Sequence, residues 1–149
     1  MTQKKNFLFT VLFVVCTLLF ACTACQDTGN VKSAEVTEST QTRVLIRVNE
    51  VEGKAVLYDV MSALKEQGEL DFVSENSPYG QSLVRINGVE NADDWSYYWA
   101  SYTTDSENGS FAFTRDGVDW YYAAAGLSHL PVTAGEYYLF EYIENTYNG

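Results

Sequence analysis

Aromatic side chains are the main chemical feature of this sequence, and they are concentrated towards its C-terminal end. The chain has 3 Trp, 11 Tyr and 8 Phe, and one dense group begins at residue 95. Tyrosine and tryptophan offer a flat apolar surface with a polar tip, which suits a sugar, a corrin or a protein partner. We therefore predict a ligand-binding surface formed by Trp95, Tyr97, Tyr98, Trp99 and Tyr102.

These five aromatic residues cannot all face the same way. Successive side chains of a β-strand point to opposite faces of the sheet. A strand that contains the group puts Trp95, Tyr97 and Trp99 on one face, and Tyr98 and Tyr102 on the other. The alternative to ligand binding is that one face forms core and the other forms cross-strand pairs, and the sequence leaves both interpretations open.

Residues that could carry catalysis or hold a metal are few. The chain has 1 His, and its 3 Cys all precede residue 26, so His129 has no second His or Cys with which to form a nucleophile pair. Two acidic loops, at residues 93–94 and 105–109, offer oxygen ligands for Ca²⁺, but no Glu closes the second one as a calcium loop requires. We predict no enzyme, no catalytic residue, no metal site and no cofactor.

The charge of the chain narrows the range of partners. Asp and Glu number 20 against 9 Lys and Arg, which gives a formal net charge of −11. Nucleic-acid binding depends on a cationic surface that neutralises phosphates. We therefore exclude nucleic acid as a partner. We expect the excess of acidic residues to keep the protein soluble.

The N-terminus has the pattern of a secretory signal. Lys4 and Lys5 precede an apolar run over residues 7–21, which is shorter than the roughly 20 residues of a membrane-spanning helix. The run ends in Leu-Phe-Ala-Cys, which resembles the lipobox of bacterial lipoproteins. The resemblance implies a signal peptide over residues 1–21 and a lipid on Cys22, with Cys25 as the alternative. A retained membrane anchor is the other interpretation.

The segment between the signal and the first strand pattern is polar. Residues 26–42 are rich in Thr, Ser and Glu, with Val31 and Val36 as the only sizeable apolar side chains. Such a composition buries too little surface to become ordered. We predict a flexible tether over residues 22–42 and a folded domain over residues 43–149, which has no cysteine and so depends on its apolar core.

Within the domain, one helix is expected among several strands. Apolar residues at 56, 57, 60, 61 and 64 follow a helical period, and Gly68 is suited to the end of that helix. Alternating residues 43–48 indicate a strand, and Asn87-Gly88 indicates a tight hairpin turn. We predict an α+β fold of mainly antiparallel sheet with one helix packed on a face, after an N-terminal signal helix and a flexible tether.

Several short motifs occur in a characteristic order, at residues 56–61, 77–80, 84–90, 95–99, 130–132, 134–138 and 140–142. Their order and spacing resemble a bacterial family of transcobalamin-like C-terminal domains, found in surface lipoproteins of Gram-positive bacteria. The resemblance covers most of the predicted domain and implies its fold. It also implies cobalamin or a related corrinoid as the ligand, because the animal relatives of the family carry cobalamin.

Together these patterns predict a membrane-anchored module on the extracytoplasmic face of the cell membrane that binds a ligand without catalysis. The resemblance makes cobalamin or a related corrinoid the expected ligand and a membrane transporter an expected partner. The alternative is a non-enzymatic adhesion domain that contacts an envelope protein or a glycan. A concave pocket would favour the first function, and a flat aromatic patch would favour the second.

Overall fold

The structure, a computed structural model, describes residues 29–146, which form nine strands and one helix. The signal peptide, Cys22, Cys25 and the first part of the tether lie outside the described residues. In chain order the elements are β1 (Asn30–Ser39), β2 (Arg43–Glu52), α1 (Leu57–Glu66), β3 (Phe72–Ser77), β4 (Gly80–Ile86), β5 (Val89–Glu90), β6 (Tyr97–Thr103), β7 (Gly109–Arg115), β8 (Val118–Ala123) and β9 (Tyr137–Glu144).

The strands form two antiparallel sheets. The larger sheet has six strands in the order β1-β2-β9-β6-β8-β7, and the smaller has three in the order β3-β4-β5. The turn between β4 and β5 has positive φ at both Asn87 and Gly88, as a tight hairpin turn requires. The predicted Asn-Gly turn is therefore confirmed.

The helix forms where the apolar period predicts it. Its buried residues are Leu57, Val60, Met61 and Leu64, one stripe along the helix. At the N-terminus the Asp59 carboxylate accepts the backbone N–H of Val56 at 3.0 Å, which satisfies one donor that the helix itself leaves open. At the other end Gly68 has a φ of +77°, a conformation that glycine adopts without strain.

The main core lies between the helix and the two sheets. Val44, Ile46 and Val48 of β2 and Tyr138 and Phe140 of β9 are fully buried, and they belong to one cluster with the helix stripe and with residues of β3 and β4. The predicted fold class, mainly antiparallel sheet with one helix on a face, is thus confirmed for the described residues.

The opposite face of the six-stranded sheet carries a second, smaller core. Ala100, Tyr102, Trp120 and Leu139 are buried there. No helix of the described residues covers this face. Its aromatic side chains cover one another, as in the edge-to-face contact between Tyr102 and Phe113, whose ring centroids lie 5.2 Å apart.

Strand β1 corrects the predicted tether. Residues 30–39 belong to the segment assigned to a flexible linker, yet they pair with β2 along their whole length. Val31, Ala34 and Val36 are partly buried against the main core. Composition misled the prediction because an edge strand takes much of its stability from the backbone hydrogen bonds of its neighbour and needs few large side chains.

Within residues 29–146, no helix is long and apolar enough to span a membrane.

Candidate functional site

The candidate site arises where two strands of the large sheet part. Strand β6 pairs with β9 from Tyr97 to Thr103, but it pairs with β8 only at Tyr102 and Thr103. On that side the stretch of β6 before Tyr102 has no strand partner among the described residues. The small sheet and the loop after β8 approach this gap without filling it.

The gap forms a cleft of about 280 Å³, which we call the β6 cleft. Its walls come from β4, from β6, from the end of β8 and from the loop that follows β8. Four aromatic side chains line it, Trp95, Tyr98, Trp99 and Tyr122. Four polar residues also line it, Gln81, Ser82, Asn91 and Ser101, and the remaining lining residues are Leu, Ala and Gly.

Asn91 and Trp99 hold the cleft in shape. The backbone N–H of Trp99, which no strand partner takes up, donates to Asn91 Oδ1 at 2.9 Å. Asn91 Nδ2 donates in turn to the carbonyl of Leu83 at 2.8 Å, and Trp99 Nε1 donates to the carbonyl of Val89 at 2.8 Å. These three bonds join β6 to β4 and β5, so side chains replace a backbone ladder here.

The loop after β8 is hydrogen-bonded to the beginning of β4 and to the residue before it. Gly126 N–H donates to the carbonyl of Tyr79 at 3.0 Å, and Leu127 N–H donates to the carbonyl of Gln81 at 2.8 Å. A Cβ on Gly126 would lie 2.7 Å from the Tyr79 oxygen and 2.9 Å from the Gln81 oxygen. Only glycine permits this approach, so Gly126 sets the position of one cleft wall.

Trp95 stands at the rim of the cleft in an unusual backbone conformation. Its φ is +58°, which is uncommon for a bulky residue and costs free energy. The side chain is 55% exposed, whereas Trp99 and Trp120 are 5% and 6% exposed. Trp95 also lines a second depression of about 210 Å³ that contains Glu75 and Asp93. The Trp95 indole thus separates the uncharged β6 cleft from the depression that contains Glu75 and Asp93.

The cleft itself is uncharged. Of the described residues, those that line it include no Asp, Glu, Lys, Arg or His, although the chain as a whole carries a formal charge of −11. The arrangement offers aromatic faces and neutral polar groups to a ligand.

The structure brings together three of the five predicted ligand residues. Trp95, Tyr98 and Trp99 line the cleft, although Trp99 is mostly enclosed. Tyr97 lies outside it, 43% exposed, with its ring stacked on that of Tyr142 at a centroid distance of 5.8 Å. Tyr102 is buried in the second core.

The predicted alternation holds along β6 but not at its beginning. Trp99 belongs to the main core and Tyr102 to the core on the opposite face, as a period of two requires. Trp95 precedes the strand, which starts at Tyr97. The left-handed backbone at Trp95, and not the strand period, therefore determines where its indole points.

Two buried tyrosines keep their protons at physiological pH. Burial raises the pKa of Tyr138 to about 12. Burial, followed by the neighbouring Tyr122, also raises the pKa of Tyr102. Desolvation disfavours the phenolate in both cases, so these hydroxyls act as hydrogen-bonding groups and not as nucleophiles.

The acidic loop at residues 105–109 uses its carboxylate internally. Asp105 accepts the N–H of Glu107 at 2.9 Å, Asn108 Nδ2 at 2.8 Å and Thr133 Oγ1 at 2.7 Å. Within residues 29–146 no group of three or more His, Cys, Asp or Glu side chains is arranged to hold a metal ion. Asp105 instead ties its loop to the loop before β9.

Sequence reasoning missed several residues of the cleft. The predicted ligand-binding residues do not include Asn91, Ser101, Tyr122 or Gly126, all of which line the cleft. Local patterns cannot reveal them, because their role depends on strands that are distant in sequence. The one available signal was the polar Asn91 close before the aromatic group.

No family model matches the sequence, and neither do the curated proteins or the solved structures with which it was compared.

Proposed function

We propose that this protein is a membrane-anchored, extracytoplasmic ligand-binding module without catalytic activity, and that its ligand occupies the β6 cleft. The observation that carries the proposal is the exposed indole of Trp95 at the rim of a concave, uncharged and partly aromatic cleft. Binding sites for small molecules are typically concave and apolar with a few fixed polar groups. The lipobox-like sequence before Cys22 supports the anchor.

The resemblance to transcobalamin-like domains makes cobalamin or a related corrinoid the first ligand to test. The cleft volume of about 280 Å³ lies just below the range of about 300–1,000 Å³ that is usual for sites of drug-sized ligands. A corrinoid is larger, so it would lie across the mouth, against Trp95, with only an edge inside. A membrane transporter would then receive the ligand from the module.

The corrinoid version can be tested by fluorescence. Trp95 is the exposed member of the three tryptophans, so a ligand over the cleft mouth changes its emission. Full-length protein in detergent is titrated with cyanocobalamin to high micromolar concentration, with free tryptophan as the control for light absorption by the corrin. We expect quenching beyond that control in the natural protein and none beyond it in Trp95→Ala. If the emission of the natural protein falls no more than that of the free-tryptophan control, corrinoids are excluded as the ligand.

Adhesion to an envelope protein is the second candidate function, and exposed aromatics outside the cleft favour it. Phe111 is 85% exposed in β7, and Tyr79 is 78% exposed in the turn before β4. Aromatic side chains of this kind are enriched at protein interfaces. If this function is correct, Phe111→Ala and Tyr79→Ala weaken retention of an envelope partner, while Trp95→Ala has no effect.

A further inference from the structure

The β6 cleft is neutral in a strongly acidic molecule. Its lining contains no charged side chain among the described residues, while the depression on the other side of Trp95 contains Glu75 and Asp93. A charged group inside the cleft would lose its hydration without gaining an ion pair. An anionic ligand would also be repelled by the neighbouring carboxylates. The surroundings therefore disfavour an anionic ligand, and the lining offers no ion pair to a cationic one.

The polar groups of the cleft fall into two sets. Asn91 and Gln81 already use their side-chain amides, Asn91 towards Trp99 and Leu83, and Gln81 towards Asn76 and Ser74. The hydroxyls of Ser82 and Ser101 have no hydrogen-bond partner within residues 29–146. Two open hydroxyls can both donate and accept, which matches a ligand that carries several hydroxyl groups.

The aromatic and spatial features point to a single ring. The volume of about 280 Å³ accommodates one ring of a longer molecule better than a whole drug-sized ligand. Trp95 presents a broad apolar face at the rim, and the C–H face of a pyranose is apolar while its edge is polar. A flat aromatic side chain next to hydroxyls fits both parts of such a ring.

We propose that the β6 cleft binds an uncharged pyranose ring of a glycan, stacked on Trp95 and hydrogen-bonded to Ser82 and Ser101. This inference rests on the proposed ligand-binding function and names the class of its ligand. In this inference Trp95 contributes most of the affinity. The uncharged lining and the adjoining depression with Glu75 and Asp93 determine the selectivity against anions.

The test compares neutral and anionic saccharides on the full-length chain, kept in a detergent without a sugar headgroup. Cellotriose and tri-N-acetylchitotriose are the neutral ligands, trigalacturonate is the anionic one, and cyanocobalamin is the non-saccharide. Binding is followed by calorimetry and by amide NMR shifts up to about 10 mM, which reaches the weak affinities of single-ring sites. We expect a neutral saccharide to bind and to shift amides around Trp95 and Ser101, and trigalacturonate not to bind.

Variants test the assigned contacts. Trp95→Ala is expected to weaken saccharide binding by about tenfold or more, as for aromatic side chains that a bound partner covers, while Trp95→Phe keeps part of the affinity. Phe111→Ala is the matched control, because Phe111 is also exposed, also has a positive φ of +51° and does not line the cleft. Ser101→Ala should lower the affinity less than Trp95→Ala, with unchanged thermal unfolding.

The outcomes separate this inference from the broader proposal. Binding of cyanocobalamin at Trp95 without binding of either neutral saccharide would overturn the sugar assignment and leave the ligand-binding module intact. Equal binding of trigalacturonate and cellotriose would overturn the neutrality argument. If all four molecules leave the amides around Trp95 unshifted, both proposals fail.

Discussion

Asn91 connects the two sheets through both ends of its side-chain amide, one bond to the backbone N–H of Trp99 and one to the carbonyl of Leu83. The Trp99 N–H lies on the side of β6 that has no strand partner at this position. Removing the amide would take a hydrogen-bond partner from this N–H and from the Leu83 carbonyl in a partly buried place, and lost partners of buried groups are costly. Asn91 thus holds two walls of the cleft together, beside the bond that Trp99 makes to Val89.

We expect Asn91→Ala to lower the free energy of unfolding by about 2 kcal/mol, since two hydrogen-bonding groups lose their partners. Urea unfolding followed by circular dichroism measures the change. Asn76→Ala is the control, because Asn76 also bonds a side chain, Gln81, but lies exposed, and a surface change of this kind costs about 0.5 kcal/mol or less. Equal stability of the two variants would contradict the role given to Asn91.

Asp105 gives the stability a dependence on pH. Burial by itself would raise the pKa of this carboxyl, but the hydrogen bonds from Asn108 and Thr133 and from the backbone N–H groups of Glu107 and Asn108 prevail, and the pKa lies below its ordinary value of 3.8. Because the folded pKa is the lower one, the stabilisation is complete above 3.8 and is lost as the pH falls through the folded value.

Asp105→Asn should therefore destabilise the protein by about 2 kcal/mol at neutral pH, where charge-assisted hydrogen bonds are lost. The difference from the natural protein should shrink as the pH falls below about 4, because the natural carboxyl then becomes neutral too. Unfolding curves at a series of pH values test this. If the difference in unfolding free energy between the natural protein and Asp105→Asn stays constant down to pH 2, the charge of the Asp105 carboxylate does not contribute to stability.

At the scale of elements, β1 is the clearest departure from the sequence-based prediction. It is an edge strand with three irregularities in its register against β2, and irregular edges discourage pairing with other chains. Its inward side chains are modest in size, and Val36 packs against the main core opposite Ile46. The strand closes one side of the sheet and extends the folded domain towards the N-terminus.

The role of β1 can be tested by placing a charge on each of its faces. Val36→Asp should lower the free energy of unfolding by about 2 kcal/mol, because the carboxylate would be partly buried without a partner. Ser33→Asp is the control, since Ser33 is exposed on the same strand. Urea unfolding distinguishes the two. If the segment were a loose tether, both substitutions would be neutral.

At the scale of the whole molecule, the fold is an acidic domain with two cores, one on each face of the large sheet. Its strong negative charge favours solubility and opposes binding to anionic surfaces. A lipid at the N-terminus would hold such a domain at a membrane that its own surface would not attract. The anchor and the domain would thus have separate roles.

The anchor is tested on the full-length chain expressed in a Gram-positive host. We expect the mature protein in the membrane fraction, with a lipid mass on an N-terminal Cys22 by mass spectrometry. Cys22→Ala should abolish the lipid, and Cys25→Ala should leave it in place. The reverse pattern would assign the lipid to Cys25, and an unmodified mature chain would exclude the lipoprotein interpretation.

The sequence was sufficient for elements whose signals are local. The helix, its end at Gly68 and the Asn87-Gly88 turn are all encoded by residues within a few positions of one another. Of the five aromatic residues predicted to bind a ligand, Trp95, Tyr98 and Trp99 line the cleft. Tyr102 and Tyr97 lie elsewhere, because the direction of a side chain is known only after the strand has found its partners.

What the sequence determined by itself is the local architecture and the chemistry that is available, since periodicity, turn residues and charge are properties of neighbouring positions. Only the tertiary structure decided that β1 forms a strand, that β6 pairs with β8 only at Tyr102 and Thr103, and that Asn91 spans the resulting gap. These features depend on contacts between residues far apart in the chain, and the cleft exists only where such contacts leave a strand without a partner.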